Sequence, residues 1–397
     1  MKAVHVGAAT LVFLAVAGCV EKKKDPPQTP TTTGGAASQG TPAAQEDVVL
    51  FGVYGSMTGS EATFGISTKN GIEAAVADLN AAGGVLGKKV KMIAYDDQGK
   101  PEEAVTAVTK LVTQDKVHVV LGEVASSRSL AAAPICQNNK VPMISPSSTN
   151  PRVTETGDYI FRVCFIDPFQ GTVMAEFAAN HLKVKTVAIF RDKGSDYSMG
   201  LADYFQKEFE KRGGKVVADE SYAANDMDFK AQLTSMKGKK PDAVFLPGYY
   251  TQAATIIRQA RELKMNVPFL GGDGWESAKL FEIGGKALDG CYFSNHTSNE
   301  DPRPELQGFI KRFTQTYKEA PDSLAVLGYD AAMLAADAIK RAGNLDRAAM
   351  RDQLAKTSGY KGVSGPITMD ALRNATKPGV VLKIQDGKAS FVTSISP

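Results

Sequence analysis

Cysteine, histidine and tryptophan are scarce in this 397-residue chain, at four, four and one. His5, His118, His181 and His296 stand far apart, with no HxxxH or comparable ligand spacing, so the sequence gives no basis for a metal site. His118 opens a strand-like run and His181 closes a helical one, and both read as structural. Phosphate chemistry is equally unsupported: no GxxxxGK[ST] occurs, and the GSMTGS stretch at 55–60 lacks GxGxxG spacing. No GxSxG elbow presents a nucleophilic serine, and the Ser126-Ser127 pair has no base beside it. An enzyme, for instance a secreted hydrolase, would need a nucleophile with its base, so no catalytic residue and no cofactor is assigned. A formal net charge of +3, without a long Lys/Arg stripe, excludes a nucleic-acid partner. The short Lys22-Lys23-Lys24 cluster reads as a solvated, membrane-proximal segment.

Long apolar runs are also missing. The longest, AVHVGAATLVFLAVAG at 3–18, is too short and too rich in small residues for a membrane span. It ends in Leu14-Ala15-Val16-Ala17-Gly18-Cys19. Small residues directly before a cysteine resemble a bacterial lipoprotein signal, so 1–18 are expected to be removed and Cys19 lipidated. The alternative is an ordinary secretory signal with an incidental cysteine. Two or more acyl chains would hold the protein at a membrane, since each buried CH₂ is worth about 0.8 kcal/mol. Residues 20–46 are rich in Pro, Thr, Gly, Ser, Ala and Gln with little to bury, and read as a flexible tether of roughly 30 Å. Cys136, Cys164 and Cys291 then remain. An odd number outside the cytoplasm allows at most one disulfide. Buried thiols are expected, with a Cys136–Cys164 bridge as the alternative.

What is present is an ordinary globular composition, 43% apolar and 22% charged, long enough for two domains. From residue 47 strand-like and helical patterns alternate. VVLFGVYG reads as a strand. The next stretch carries Ile72, Ala75, Val76 and Leu79 at helical spacing and stops at Gly83-Gly84. Pro101 opens another helix with Val105, Val108, Leu111 and Val112 on one face. The alternation continues through TVAIFRD, DAVFLPGY and DGCYFSN. This is the pattern of βαβ units and parallel sheets covered on both faces. Two successive α/β blocks, about 48–165 and 166–296, are expected, followed by two long helices and further strands.

Ligands bind open parallel sheets beyond the carboxyl ends of the strands. Three strand ends of the first block carry hydroxyl clusters: 55–60, Ala125-Ser126-Ser127-Arg128-Ser129, and Pro146-Ser147-Ser148-Thr149-Asn150. These loops read as nearly free of acid. Hydroxyls and backbone N–H groups at helix N-termini suit an anion; helix capping is the alternative for any one loop. Without a P-loop lysine, a carboxylate fits better than a nucleotide phosphate. The second block instead offers Tyr197, Tyr249, Tyr250, Asp273 and Trp275. Asp273, between glycines, suits an ammonium group, with aromatic walls beside it; the alternative is a plain turn aspartate. Hydroxyls on one side facing an acid and aromatics on the other complement an amino-acid zwitterion. Tyr95-Asp96-Asp97 reads as a capped turn.

The run GSMTGSEATFGISTKNGIEAAVADLNAAGGVLGKKVKMIAYDDQGKPEEAV, followed in order by LGEVASSRS, PMISPSSTNP, PGYYTQAATIIRQAR, GGDG and SGPITMD, resembles the leucine/isoleucine/valine-type substrate-binding proteins of bacterial ABC importers. The likeness covers nearly all of 47–390. It implies the type I periplasmic-binding fold: two doubly wound parallel-sheet α/β lobes joined by three crossovers, near 164–167, 295–298 and 377–380. The lobes would be 47–165 with 297–378, and 166–296 with 379–397. It further implies that Ser126, Ser147 and Thr149 hold a ligand carboxylate, that Asp273 holds its ammonium, and that Tyr197, Tyr249 and Phe64 line the pocket. Asp273 is one methylene shorter than the glutamate usual there, and Phe64 stands where tyrosine is common. Arg128 replaces a small residue; it would reach a second acid on a ligand or face solvent. The resulting expectation is a monomeric, membrane-anchored extracytoplasmic lipoprotein, in the periplasm or on the outer face of the cell membrane. It would capture an amino acid and deliver it to ABC permease subunits. A ligand sensor of the same fold acting on a membrane receptor is the alternative.

Overall fold

The computed structural model describes residues 48–396. The expected signal peptide, the expected lipidation at Cys19 and the expected tether lie outside the described residues.

The first sheet is built from apolar, β-branched runs that are short because both faces are covered. Its elements are β1 (Val49–Gly55), α1 (Ala62–Ala81), β2 (Val90–Asp96), α2 (Pro101–Thr113), β3 (Val119–Leu121), α3 (Ser126–Asn138), β4 (Met143–Ser145), α4 (Arg152–Glu155) and β5 (Ile160–Arg162). All strands are parallel, in the order β2-β1-β3-β4-β5. Parallel neighbours need a crossover, and α1, α2 and α3 supply it. Pro101 and the acidic pair Glu102 and Glu103 sit in the first turn of α2, where a missing N–H costs nothing and negative charge is favoured.

The chain then passes to a second sheet. Its first run comprises α5 (Asp167–Glu176), β6 (Thr186–Asp192), α6 (Asp196–Lys211), β7 (Lys215–Tyr222), α7 (Lys230–Gly238), β8 (Ala243–Phe245), α8 (Tyr250–Glu262), β9 (Phe269–Gly271), α9 (Ala278–Gly284) and β10 (Tyr292–Asn295). Three helices follow, α10 (Pro304–Tyr317), α11 (Ser323–Ala342) and α12 (Arg347–Ala355), then the hairpin β11 (Tyr360–Gly362) and β12 (Gly365–Ile367). The strands β13 (Gly379–Gln385) and β14 (Lys388–Ile395) end the fold. The second sheet has the order β14-β13-β10-β9-β8-β6-β7; β13 and β14 are its antiparallel members.

The three late helices do not form a third block. Leu306, Phe309, Leu327, Leu334 and Leu354 share one buried core with Val49, Phe51 and Phe161 of the first sheet and with Ile72 of α1. α11 packs along α1 at backbone contact: a Cβ at Gly71 would lie 2.0 Å from the Ala325 carbonyl oxygen, and one at Gly328 2.5 Å from that of Thr68. The chain therefore passes between the two sheets three times, after β5, after β10 and before β13.

Cys136, Cys164 and Cys291 are free and buried, so the Cys136–Cys164 bridge is not formed. Burial pushes the Cys291 thiol up to about 11, which keeps it protonated and unreactive. Among the described residues no helix is long and apolar enough to cross a membrane.

Candidate ligand-binding site

The serine-rich loops meet where β3 and β4 end. α3 has Ala125 at its N-cap and no side-chain cap bond, so capping does not explain its serines. They join the loops to one another instead. The hydroxyls of Ser145 and Ser148 both donate to the Glu123 carbonyl, at 2.7 and 2.8 Å, and Ser129 Oγ lies 2.7 Å from Ser148 Oγ. Ser126 Oγ accepts the Asn150 backbone N–H at 3.2 Å. Arg162 fixes the second loop from below, donating to the carbonyls of Ser148, Asn150 and Pro151.

Asp273 follows β9 on the second sheet and faces these loops. Its Oδ1 accepts from Tyr197 Oη at 2.9 Å and from Gln170 Nε2 at 2.8 Å. Its Oδ2 lies 3.0 Å from His296 Nε2 and accepts from Ser147 Oγ at 3.4 Å. Burial pushes the Asp273 carboxyl up, but the His296 hydrogen bond and charge, with Gln170 and Tyr197, outweigh it and hold the group below the usual range. The glycines around it are steric requirements. A Cβ at Gly272 would lie 2.3 Å from Tyr197 Oη, and one at Gly274 2.8 Å from the Gly248 carbonyl oxygen.

The aromatic candidates continue outward. Tyr197 stacks on Tyr249 at 5.3 Å between centroids, and Phe64 meets Tyr249 edge-on at 5.4 Å. Ser147, Asp273, Tyr197, Tyr249 and Phe64 thus form one contiguous chain of contacts across both sheets. Ser126 joins it through Asn150. Thr149 is buried beside it, and its carbonyl accepts the Asp167 N–H at 2.9 Å. Trp275 lies in the core, its indole N–H on the Leu246 carbonyl, and lines nothing. Sequence reading passed over Gln170 and His296; the signal for Gln170 was its place on the face of α5 that also carries Asp167, three residues earlier.

Two expectations are corrected. The hydroxyl loops are not acid-poor in space. Asp97 and Glu123 are fully buried there, and Ser56 Oγ donates to both, at 2.9 and 3.1 Å. Nor does Arg128 face solvent: it is 4% exposed, its guanidinium 2.7 Å from Glu61, 3.0 Å from Glu123 and 3.9 Å from Asp97. Asp96 does cap its turn, accepting the N–H groups of Met57 and Gln98.

The two halves also touch at both edges of the site. Ser127 Oγ accepts the Asp196 N–H at 2.9 Å, while Thr251 Oγ1 donates to the Ser60 carbonyl at 2.7 Å. Further back, Glu276 accepts from the Ser323 N–H at 3.1 Å and from Asn295 Nδ2 at 2.7 Å, with Asp322 close by. Burial and the Asp322 charge push the Glu276 carboxyl up to about 7. A folded pKa above the unfolded one means that this stabilisation is complete below about pH 4.5 and is lost as pH rises through 7. Glu276→Gln should therefore shrink the gap between melting temperatures at pH 5 and pH 8. An unchanged gap would remove the pair as its source.

Among the described residues no group of His, Cys, Asp and Glu is placed to hold a metal ion. A family model described as periplasmic binding protein matches residues 49–389. Leu/Ile/Val-binding protein homolog 1 of Brucella suis is 31% identical over 351 residues, covering 87% of this chain and 93% of that one. The leucine binding protein LivK of Thermotoga maritima is 40% identical, with a TM-score of 0.85 over 88% of this chain and 99% of that one. The branched-chain amino acid transporter substrate-binding protein LivJ of Streptococcus pneumoniae, solved with isoleucine, is 34% identical, with a TM-score of 0.84 over 88% of this chain and all of that one. With the family model spanning 49–389 and relatives named as binding proteins, the chain belongs to the periplasmic binding protein family as a substrate-binding protein with two parallel-sheet halves.

Proposed function

We propose that this protein captures a branched-chain or related amino acid between its two halves and delivers it to an ABC-type permease, held outside the cytoplasm by a lipid on Cys19. The halves act as lobes, 47–165 with 297–378 and 166–296 with 379–397, hinged at the three passages between the sheets. The observation that carries this reading is the opposition of chemistries. The first lobe presents Ser126, Ser147 and Thr149 with free backbone N–H groups at a helix start, suited to a carboxylate. The second presents Asp273 with Tyr197 and Tyr249, suited to an ammonium and an apolar side chain; Phe64, from the first lobe, closes the same wall. A ligand touching both lobes stabilises the closed form by its differential affinity for it. The names of the leucine- and isoleucine-associated relatives support the same substrate class.

The test is thermal melting of the refolded protein, freed of carried-over ligand, with each standard L-amino acid. At about 100 times its dissociation constant a ligand adds roughly 2.7 kcal/mol, worth several degrees. Leucine, isoleucine or valine should give the largest shifts. A shift with carboxylates that lack an amine, and with no amino acid, would overturn the amino-acid reading.

A further inference from the structure

The two halves meet at the start of α11, and each brings a carboxylate to it. Glu276 stands in the second half, just past Asp273. Yet its Oε1 accepts the N–H of Ser323, in the first turn of α11, at 3.1 Å, while its Oε2 accepts from Asn295 Nδ2 at 2.7 Å. Asp322, the N-cap of that helix, accepts the Ala325 N–H at 2.9 Å and the hydroxyl of Ser67 on α1 at 2.5 Å. Further bonds cross the same seam: Ser323 Oγ donates to Asn295 Oδ1 at 2.7 Å, and Thr63 Oγ1 lies 3.0 Å from Ser277 Oγ. Parting the halves would break these bonds and return Glu276 to water.

Both carboxylates are only half-buried and border a cavity of about 570 Å³, which lets protons reach them. The charges around them are mostly alike. Glu276 faces Asp322 from α11 and Asp273 from its own turn, and Glu319, ahead of α11, faces Asp322. Glu300 and Lys388 stand on the wall of the same cavity. Lys279 on α9 is spent on Glu282, and His296 is turned to Asp273. Tyr250 on α8, whose hydroxyl accepts the Thr63 N–H, stays neutral. Two carboxylates brought to one helix end repel each other unless one of them holds a proton.

Resting on the amino-acid reading above, we propose that Glu276 and Asp322 are a proton-operated latch: when the lobes close on an amino acid the two carboxyls come together and take up a proton, so the grip on the ligand weakens as pH rises. In the closed form burial and the Asp322 charge push the Glu276 carboxyl up to about 7, against 4.5 for an unperturbed glutamate. Closing between those values binds a proton. Affinity is therefore highest at acid pH and falls as pH climbs through 7. Glu276 does not touch the ligand; it is a positioning residue that acts through closure. Such a protein holds its ligand in mildly acidic surroundings and yields it in alkaline ones.

The experiment is calorimetric titration of wild type, Glu276→Gln and Asp322→Asn with the twenty standard L-amino acids. Each that binds is measured at pH 5, 6 and 8 and, at pH 6, in both phosphate and Bis-Tris. Wild type should bind about tenfold more tightly at pH 5 than at pH 8 and take up close to one proton per ligand at pH 6. Each variant should change by less than about threefold over the same range and take up less than about half as much proton. Glutamine keeps an acceptor for the Ser323 N–H, and asparagine still caps α11. Freed of the repulsion, both variants should therefore melt at pH 8 no lower than wild type, which shows that they are folded. A wild-type affinity that is flat within about threefold, or a slope and proton uptake that both variants retain, would overturn the latch and leave the amino-acid reading intact. A wild type that binds none of the twenty at any of these pH values would overturn both.

Discussion

Asp273→Ala should lower affinity for the bound amino acid by about a hundredfold or more, and it should also lower the melting temperature of the unliganded protein. The first effect follows from position. Asp273 ties Tyr197 and Gln170 of the second lobe to Ser147 of the first and to His296 at the passage after β10. Removing it frees the Tyr197 ring, and with it Tyr249, from the arrangement that walls the site. The second effect follows from burial: four donors would lose an acceptor where water does not reach, at about 1 kcal/mol or more each before relaxation. The loss should be pH-dependent. A carboxyl held below its ordinary range stabilises the fold fully above about pH 4 and loses that contribution as pH falls through its folded value. The variant should lack this acid limb. Calorimetric titration and melts between pH 3 and 7 check both parts, and undiminished binding would remove Asp273 from the site.

Arg128→Ala is expected to destabilise the fold by about 3–5 kcal/mol at pH 8, with no rescue by lysine. One guanidinium lies among Glu61, Glu123 and Asp97, which come from three separate stretches of chain. Removing it leaves buried negative charges facing one another. Burial, with the Glu123 charge, already pushes the Asp97 carboxyl up to about 8, and burial raises Glu61 despite the Arg128 guanidinium beside it. Raised carboxyls favour the folded state fully below their unfolded pKa and cease to as pH climbs through the folded one. The deficit of the variant should therefore narrow from pH 8 to pH 5. Urea unfolding at the two pH values measures it. A deficit below about 1 kcal/mol that is equal at both would mean that the cluster is solvated and relaxed.

Much of the framework could be read from the chain because it depends on local pattern. The alternation of apolar runs with amphipathic helices, the strand-end serines and the Gly-Asp-Gly turn each announce themselves within a dozen residues. The candidates Phe64, Ser126, Ser147, Thr149, Tyr197, Tyr249 and Asp273 all lie at strand ends or helix starts, where a parallel sheet gathers them. What stayed hidden depends on distant pairing. Nothing near Arg128 in sequence reveals that Glu61 and Asp97 will reach it, so its burial was invisible and the acid content of the loops was misjudged. Asp167 and Gln170 look like ordinary first-turn helix residues until α5 is seen to aim one face at Asp273. The return of α10, α11 and α12 to the first sheet has no periodic signature. It was inferred only from resemblance.

That return has a consequence for synthesis. α1 leaves the ribosome early, with Ile72, Ala75 and Leu79 ready for burial, but part of the surface that covers them belongs to α11. About 240 residues separate the end of α1 at Ala81 from the start of α11 at Ser323. At roughly 5–20 residues per second the interval is roughly 12–50 s. For that time the bare stripe of α1, with the small-residue notch at Gly71, is open to water and to other chains. The strands β6 to β10 of the second sheet can form in between, while the first waits with its sheet made and its back uncovered. A nascent chain arrested before residue 323 would thus be a sticky intermediate, and holding such a chain unaggregated is work for a chaperone.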